Sequence, residues 1–334
     1  MIYYNIKEEP FDVYGLYNYK SEPEFKRLPD KVAESTNEAV KTLAKNTAGG
    51  RIKFRTNTTS IALRAVMREL CDMPHMPRTG SAGFDLYVKT GTKYIYYKTF
   101  IPENFNKGFE AVHTFPDARE RELLIHFPLY NDVVSVELGL CNGATLSGGE
   151  KYRYGTPVVY YGSSITQGGC ASRPGNSYQA IISRRYDCDY VNLGFSGSAR
   201  GEQIMASYIA SLSMSVFVMD YDHNTPDPEY LSRTHEPFFR TIREKHPDLP
   251  VIFISAPDFD ADPLAYALRR DVVYNTYLNA LKSGDRNVAF IDGASLFAGE
   301  NRDACTVDSC HPNDLGFLRM ADRIGEAVGR FLKE

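Results

Sequence analysis

The stretch Pro157-Val158-Val159-Tyr160-Tyr161-Gly162-Ser163-Ser164-Ile165-Thr166-Gln167-Gly168-Gly169 sets the fold. Pro157–Tyr161 is a short apolar run without polar alternation, and it breaks at once into Gly, Ser and Thr. Such a run, bounded by turn residues, reads as a strand buried on both faces. The texture recurs at Tyr190–Leu193, Val216–Met219, Val251–Ser255 and Val288–Ile291. Helical patterns follow these runs near Ser177–Tyr186, Gly201–Leu212, Glu229–Lys245, Pro263–Ser283 and roughly Asp314–Lys333. Continuous apolar strands alternating with helices predict an α/β unit, a parallel sheet covered on both faces.

Upstream the period changes. Ile52–Arg55, Ile61–Val66, Tyr94–Tyr97, Glu122–Phe127 and Val134–Leu138 alternate with period two between Gly, Pro, Asn and Asp. This pattern predicts antiparallel strands of a β-sandwich or jelly roll. The first 50 residues read as an irregular lead-in with one short helix around Glu34–Leu43. The polar stretch Leu146–Lys151 separates the two textures, which gives a β-sandwich over 1–150 and an α/β domain over 151–334. Two units also suit 334 residues at roughly 150 residues per domain.

Composition excludes several classes. Lys plus Arg is 38 against 42 Asp plus Glu, a net charge of −4, without the basic excess expected of a nucleic-acid binder. Hydrophobic residues at 43% and charged residues at 24% are globular values and exclude a largely disordered chain. No window approaches 18 apolar residues, so no transmembrane helix is expected. The start lacks a basic segment followed by an apolar one. The expectation is a cytoplasmic chain, or a periplasmic or secreted one from which a signal peptide was removed. Cys71, Cys141, Cys170, Cys188, Cys305 and Cys310 show no CxxC spacing, which favours free thiols over a structural zinc site. Cys305 and Cys310 are close enough in sequence to close a small loop. There are 23 Tyr and 19 Phe but no Trp, so any sugar-stacking platform must use Tyr.

In an open parallel sheet, ligands bind beyond the carboxyl ends of the strands. The segments there are Gly162–Gly169, Asn192–Gly197 and Asp220–Asn224, with Asp308–Pro312 before the last helix. A hydroxyl nucleophile needs a base, an orienter for that base, and donors for an oxyanion. Asp308 and His311 are three residues apart, close enough for the carboxylate to reach the imidazole, and a serine at the end of the first strand is well placed as the nucleophile. No Gly-x-Ser-x-Gly pentapeptide occurs, which removes the main support for a nucleophile elbow. The bland alternatives are a turn serine, a histidine at a helix entry before Pro312, turn glycines at Gly194 and Gly197, and a loop or cap residue at Asn224.

These blocks, in this order, resemble the SGNH, or GDSL-type, hydrolases. Tyr161–Thr166 matches the first block, Asn192–Gly197 the second, Asn224 the third-block Asn, and Asp308-x-x-His311-Pro312 the fifth. Ser163 stands where that family usually has Asp, and Asp222-His223-Asn224-Thr225 replaces a usual Gly-x-Asn-Asp. Gly83-Phe84-Asp85-Leu86-Tyr87 resembles the signature of the GxDLY domain, a β-sandwich that precedes an SGNH domain in a group of bacterial proteins.

The resemblance implies a flavodoxin-like three-layer α/β/α catalytic domain behind a jelly-roll-like sandwich. It implies a serine esterase with Ser164 as nucleophile, His311 as base and Asp308 as orienter. The oxyanion donors would be the backbone of Ser164 and Gly197 and the Asn224 amide. No cofactor is called for. The expected substrate is a small acyl ester, acetyl on a carbohydrate or another small molecule, since no long apolar lid is evident. Arg173 and His223 are candidate substrate contacts; Arg173 could equally brace its loop, and His223 could be an exposed loop histidine. Asp85 is expected as a structural contact in the sandwich, which could also drive homo-oligomer formation. Two rivals stand. One is metal-assisted hydrolysis through Asp222, His223, His235, Asp308 and His311. The other is a non-catalytic carbohydrate-binding protein on the same fold.

Overall fold

The computed structural model describes residues 1–103, 108–257 and 262–332. Strands β1 (Ile2–Asn5), β4 (Ser60–Val66), β7 (Gly108–Thr114) and β9 (Ser135–Leu140) form an antiparallel sheet in the order β1-β9-β4-β7. A second antiparallel sheet holds β3 (Arg51–Thr56), β5 (Phe84–Thr90), β6 (Lys93–Phe100), β8 (Arg121–His126) and β10 (Leu146–Gly148). Its order is β10-β3-β8-β5-β6, and β2 (Asp12–Tyr14) also pairs with β3. Between the sheets lies one apolar core, with Ile52 and Phe54 from β3, Ile61 and Leu63 from β4, Leu123 and Ile125 from β8, and Val136 and Leu138 from β9. Each is spaced by two, as alternation demands.

The alternation in β8 is real, yet all six of its residues are buried. Leu123 and Ile125 face the sandwich core. His126, on the opposite face, meets the Tyr87 ring at 5.5 Å and the Arg184 guanidinium at 3.3 Å. The polar face of this sheet is therefore covered by the second half of the chain. The same cover hides the period of β5, whose first four residues are all buried.

The five remaining strands are parallel, β11 (Tyr154–Gly162), β12 (Cys188–Gly194), β13 (Val216–Asp220), β14 (Val251–Ile254) and β15 (Val288–Ile291), in the order β12-β11-β13-β14-β15. This is the flavodoxin-like order. Successive residues serve opposite faces. Val159, Tyr161, Phe217, Met219, Val251 and Phe253 enter one core, and Val158, Tyr160, Val216, Val218, Ile252 and Ile254 the other. Each such burial contributes about 1.5–3 kcal/mol, which is why the strands read as unbroken apolar runs.

Helices α5 (Tyr178–Tyr186) and α9 (Asp314–Phe331) cover the second face, and α6 (Gln203–Ile209), α7 (Pro228–Lys245) and α8 (Pro263–Lys282) the first. Asp227 and Asp262 cap α7 and α8 through the N–H groups of Tyr230 and Ala265, each followed by Pro at the first helical position. Helix α6 is shorter than the expected 201–212. Gly201 sits at φ +81° with the Tyr221 ring against it, outside the helix. The expected end of the last helix at Lys333 lies outside the described residues.

The lead-in differs from expectation. Instead of one helix at 34–43 there are two, α1 (Asp30–Thr36) and α2 (Glu38–Leu43), and the Asn37 side chain between them accepts from Val40 N at 2.9 Å. The Asn is extended and caps the second helix instead of continuing the first. Leu28, Ala33, Val40 and Ala44 pack into the same core as Val159 and Phe217, so this segment belongs to the wall of the parallel sheet.

Two buried guanidinium groups join the halves. Arg27 donates to the carbonyls of Asn192 (3.1 Å), Gly194 (2.6 Å), Asn46 (2.8 Å) and Leu43 (2.7 Å). Arg51 donates to Gly49 O (2.7 Å), Tyr190 O (3.1 Å) and Tyr152 Oη (2.7 Å), and pairs with Asp189. Removing one partner of a buried pair strands the other, which typically costs about 3–5 kcal/mol. Arg51→Met should therefore lower unfolding stability by about that much in guanidinium denaturation; a loss of about 1 kcal/mol or less, the value of an exposed pair, would contradict this account.

Candidate active site

Strand β11 ends at Gly162, and the four-residue helix α4 (Ser164–Gln167) starts one residue later. Ser163 is its cap: its Oγ accepts from Ile165 N at 3.1 Å while its N–H donates to Asp220 O at 3.3 Å. Ser and Asp cap equally well, so the Ser that departs from the family pattern does the same local work. The helix is held from below. Asn192 Nδ2 and Gln179 Nε2 donate to Thr166 O at 2.8 and 2.6 Å, and Thr166 Oγ1 donates to Asp220 Oδ2 at 3.1 Å. Tyr178 Oη donates to the same carboxylate oxygen at 3.2 Å. Burial, helped by the charge of Asp222, pushes the Asp220 carboxyl up to about 8.

Ser164 Oγ lies 2.9 Å from His311 Nε2, and His311 Nδ1 lies 2.8 Å from Asp308 Oδ2. The other Asp308 oxygen accepts the N–H groups of Cys310 (3.1 Å) and His311 (2.7 Å). The carboxylate thus folds the 308–311 turn and orients the ring in one arrangement. These hydrogen bonds with His311 and Cys310 outweigh burial and keep the Asp308 carboxyl below the usual range. His311 is pushed up to about 9, first by the neighbouring Cys310 thiol, against the opposing effect of burial, and then by Asp308. Burial alone would raise the Cys310 thiol, but hydrogen bonds and charge from His223 and His311 bring it below its ordinary value.

The neighbouring loop follows β12. Phe195 N donates to Gly162 O at 2.9 Å, and Ser196 N to Gln167 Oε1 at 3.1 Å. Gly197 has φ +64°, and a side chain built there would meet open space. Asn224 ends a short turn after β13, and its Nδ2 donates to Phe195 O at 3.0 Å, which puts its amide beside that loop. Among the described residues, the N–H groups of Ser164 and Gly197 have no hydrogen-bond acceptor.

Other candidates sit elsewhere. Arg173 turns to the sandwich: its Nη1 donates to Tyr87 Oη at 2.6 Å and its guanidinium lies 3.9 Å from the Tyr96 ring centre. This is the bracing alternative. Asp85 reaches across to the second half, accepting from Gly175 N at 2.9 Å, and burial pushes its carboxyl up to about 6. His223 is not an exposed loop residue. Its ring stacks on Tyr266 and its Nε2 lies 3.3 Å from Cys310 Sγ. His235 is buried on α7 with Nδ1 2.8 Å from Thr276 Oγ1, and burial pushes it down to about 3. Among the described residues, Asp222, His223 and His235 share no ligand cluster with Asp308 and His311. The six cysteines are free thiols, Cys305 and Cys310 included.

Several residues at the site carried no signal in the sequence. The His75 ring lies 5.8 Å from that of His311, and Tyr130 Oη donates to Ser164 O at 3.3 Å. His75, Pro77, Cys170, Val307 and Leu315 help line a groove of about 390 Å³ next to His311. Both His75 and Tyr130 come from the N-terminal half, in stretches without a motif. A larger cavity of about 670 Å³ lies between α7 and α8 and is lined by none of the strand-end loops. Size alone does not mark the site.

Residues 155–328 match the family model described as GDSL-like lipase/acylhydrolase, and residues 1–146 match that of the GxDLY N-terminus of SGNH-hydrolase-type esterases. The chain belongs to the GDSL-like lipase/acylhydrolase family. As a member of that family it is a carboxylic ester hydrolase. Solved structures with the same architecture include a GDSL-like lipase from Bacteroides ovatus, 29% identical, covering 99% of this chain and 98% of that one with a TM-score of 0.90. The salicylyl-acyltransferase SsfX3 of a tetracycline biosynthetic pathway is 21% identical, with coverage of 99% and 96% and a TM-score of 0.79. An acetyl xylan esterase from the rumen bacterium Butyrivibrio proteoclasticus is 10% identical, with 98% coverage of both chains and a TM-score of 0.60. No curated protein matches the chain. No helix among the described residues is long and apolar enough to cross a membrane.

The raised His311 has a measurable consequence. Its stabilising contribution is fully present below the unfolded value near 6.5 and fades as pH rises through about 9. Imidazole proton NMR should place its titration near that upper value, and Cys310→Ser should move it down by removing the largest raising contribution. An unchanged midpoint in Cys310→Ser would contradict the assignment of that cause.

Proposed function

We propose that the chain is a serine esterase that removes small acyl groups, acetyl first among them, from carbohydrate esters. The observation that carries the proposal is the unbroken hydrogen-bonded line from Ser164 Oγ to His311 Nε2 (2.9 Å) and from His311 Nδ1 to Asp308 (2.8 Å). Ser164 Oγ attacks the ester carbonyl carbon as its proton passes to His311 Nε2. Asp308 holds the Nδ1–H tautomer and stabilises the imidazolium. The N–H groups of Ser164 and Gly197 and the free N–H of the Asn224 amide receive the oxyanion. The tetrahedral adduct expels the alcohol, which takes the proton from Nε2 and leaves an acyl-serine. Water, deprotonated by the same nitrogen, then releases the acid and restores Ser164.

Support for the substrate comes from relatives of the same two-part architecture, one named an acetyl xylan esterase and one that transfers a salicylyl group. A neutral ester needs no electrostatic steering, which suits a net charge of −4. Residues 1–150 and the catalytic unit at 151–334 divide the work: the first supply His75 and Tyr130 to the surroundings of Ser164, the second the reacting groups.

An acetate-release screen over acetylated oligosaccharides and non-sugar esters, with Ser164→Ala as the blank, tests the proposal. Ser164→Ala and His311→Ala should each lower kcat on the order of 10⁶-fold, and Asn224→Ala about 10²–10³-fold. Wild-type turnover in Ser164→Ala would overturn the mechanism. Because His311 must be neutral to accept the proton, kcat/KM should climb with pH toward about 9. Activity that survives a chelator, with fluorophosphonate labelling confined to Ser164, separates this mechanism from metal-assisted hydrolysis. Full-length protein inert toward every ester would favour the non-catalytic binding alternative.

A further inference from the structure

Three soft ligands from separate stretches of chain meet at the groove beside His311. His75 lies between β4 and the short helix α3 (Arg78–Ser81), Cys170 follows α4, and His311 ends the 308–311 turn. One ring nitrogen of each histidine and the Cys170 Sγ all lie within 4.8 Å of one another. His75 and Cys170 both line the groove, which gives a solvent ion a route in. With Zn–N near 2.0–2.1 Å and Zn–S near 2.3 Å, tetrahedral ligand atoms stand roughly 3.3–3.6 Å apart. Closing the set takes at most about 1 Å per pair, a shift within reach of the exposed His75 side chain through its χ angles.

The ligand chemistry is selective. Two imidazoles and a thiolate suit zinc and do not suit magnesium or calcium, which take oxygen ligands. His311 Nδ1 is engaged by Asp308 at 2.8 Å, so Nε2 is the nitrogen left to bind. A carboxylate on the far nitrogen is also the outer partner that metal-bound imidazoles favour. The second group of nearby ligands, Asp308, Cys310 and His311, comes from one turn, and there the Asp308 oxygen and His311 Nδ1 already bind each other.

We propose that His75, Cys170 and His311 form a zinc site that inhibits the enzyme while it is occupied. A Zn–S bond forms as the Cys170 thiol proton leaves to solvent. A Zn–N bond to His311 Nε2 forms as the proton on that nitrogen also leaves to solvent, occupying the lone pair that would otherwise face Ser164 Oγ, and water completes the fourth position. The inhibition rests on the serine-esterase proposal, whereas the binding does not.

Calorimetric titration of the full chain with ZnCl₂, and cobalt substitution read by thiolate-to-metal charge transfer, measure binding without any substrate. One equivalent should bind. His75→Ala and Cys170→Ser should each weaken binding by more than the about 10–100-fold that loss of an outer partner costs, while Cys310→Ser does not weaken it. Zinc should inhibit ester hydrolysis with a Ki equal to the measured Kd. Because His75 is exposed, His75→Ala keeps the test valid if Cys170→Ser folds poorly. Wild-type affinity in His75→Ala, loss of binding in Cys310→Ser, or no saturable binding would each overturn the site. If zinc-free enzyme hydrolyses no ester, the functional proposal fails while the binding series still decides the site.

Discussion

The close approach of α4 to the end of the parallel sheet is the constraint on which the site depends. A Cβ at Gly162 would fall 2.1 Å from Thr166 Oγ1 and 2.2 Å from Asp220 O, and one at Gly194 would fall 2.1 Å from Gln167 N. With no side chains in the gap, the helix backbone rests directly on β11 and β12, within reach of Asn192 and Asp220. A four-residue helix has almost no stability of its own. Its position is a property of that packing, and so is the direction in which Ser164 presents its hydroxyl to His311.

A second constraint joins the two halves. Burying a guanidinium is costly unless its donors are satisfied, and Arg27 and Arg51 meet that demand mainly with carbonyls from both sides of the junction. Aromatic faces complete the surroundings. Arg51 lies 3.9 Å from the Tyr190 ring centre and near those of Tyr14 and Tyr152, and Arg173 lies over Tyr96. Cation–π contacts of this kind strengthen as water is removed. Part of the tyrosine excess therefore serves the junction, where a phenol offers a ring to the cation and a hydroxyl as acceptor.

Much of the α/β half was legible because its signals are local. Apolar runs followed by Gly and Ser, the helical patterns after them and the Asp308–His311 spacing are set within a few residues. The sandwich was less legible. Strand β5 escaped because both of its faces are buried at the start, and β7 because its alternation carries few strongly apolar residues. The segment around α1 and α2 carried no sign that its apolar residues belong with a sheet more than 100 positions away.

The amino-acid order by itself determined the fold class through periodicity and the Asp308–His311 pair through its three-residue spacing; Ser164 was singled out by the resemblance of its block to the SGNH hydrolases. Only the tertiary structure decided that Arg173 braces the sandwich, that Asp85 reaches across the junction, and that His75 and Cys170 stand beside His311. Those placements arise from contacts between segments far apart in the chain, and long-range packing leaves no periodic mark on the sequence.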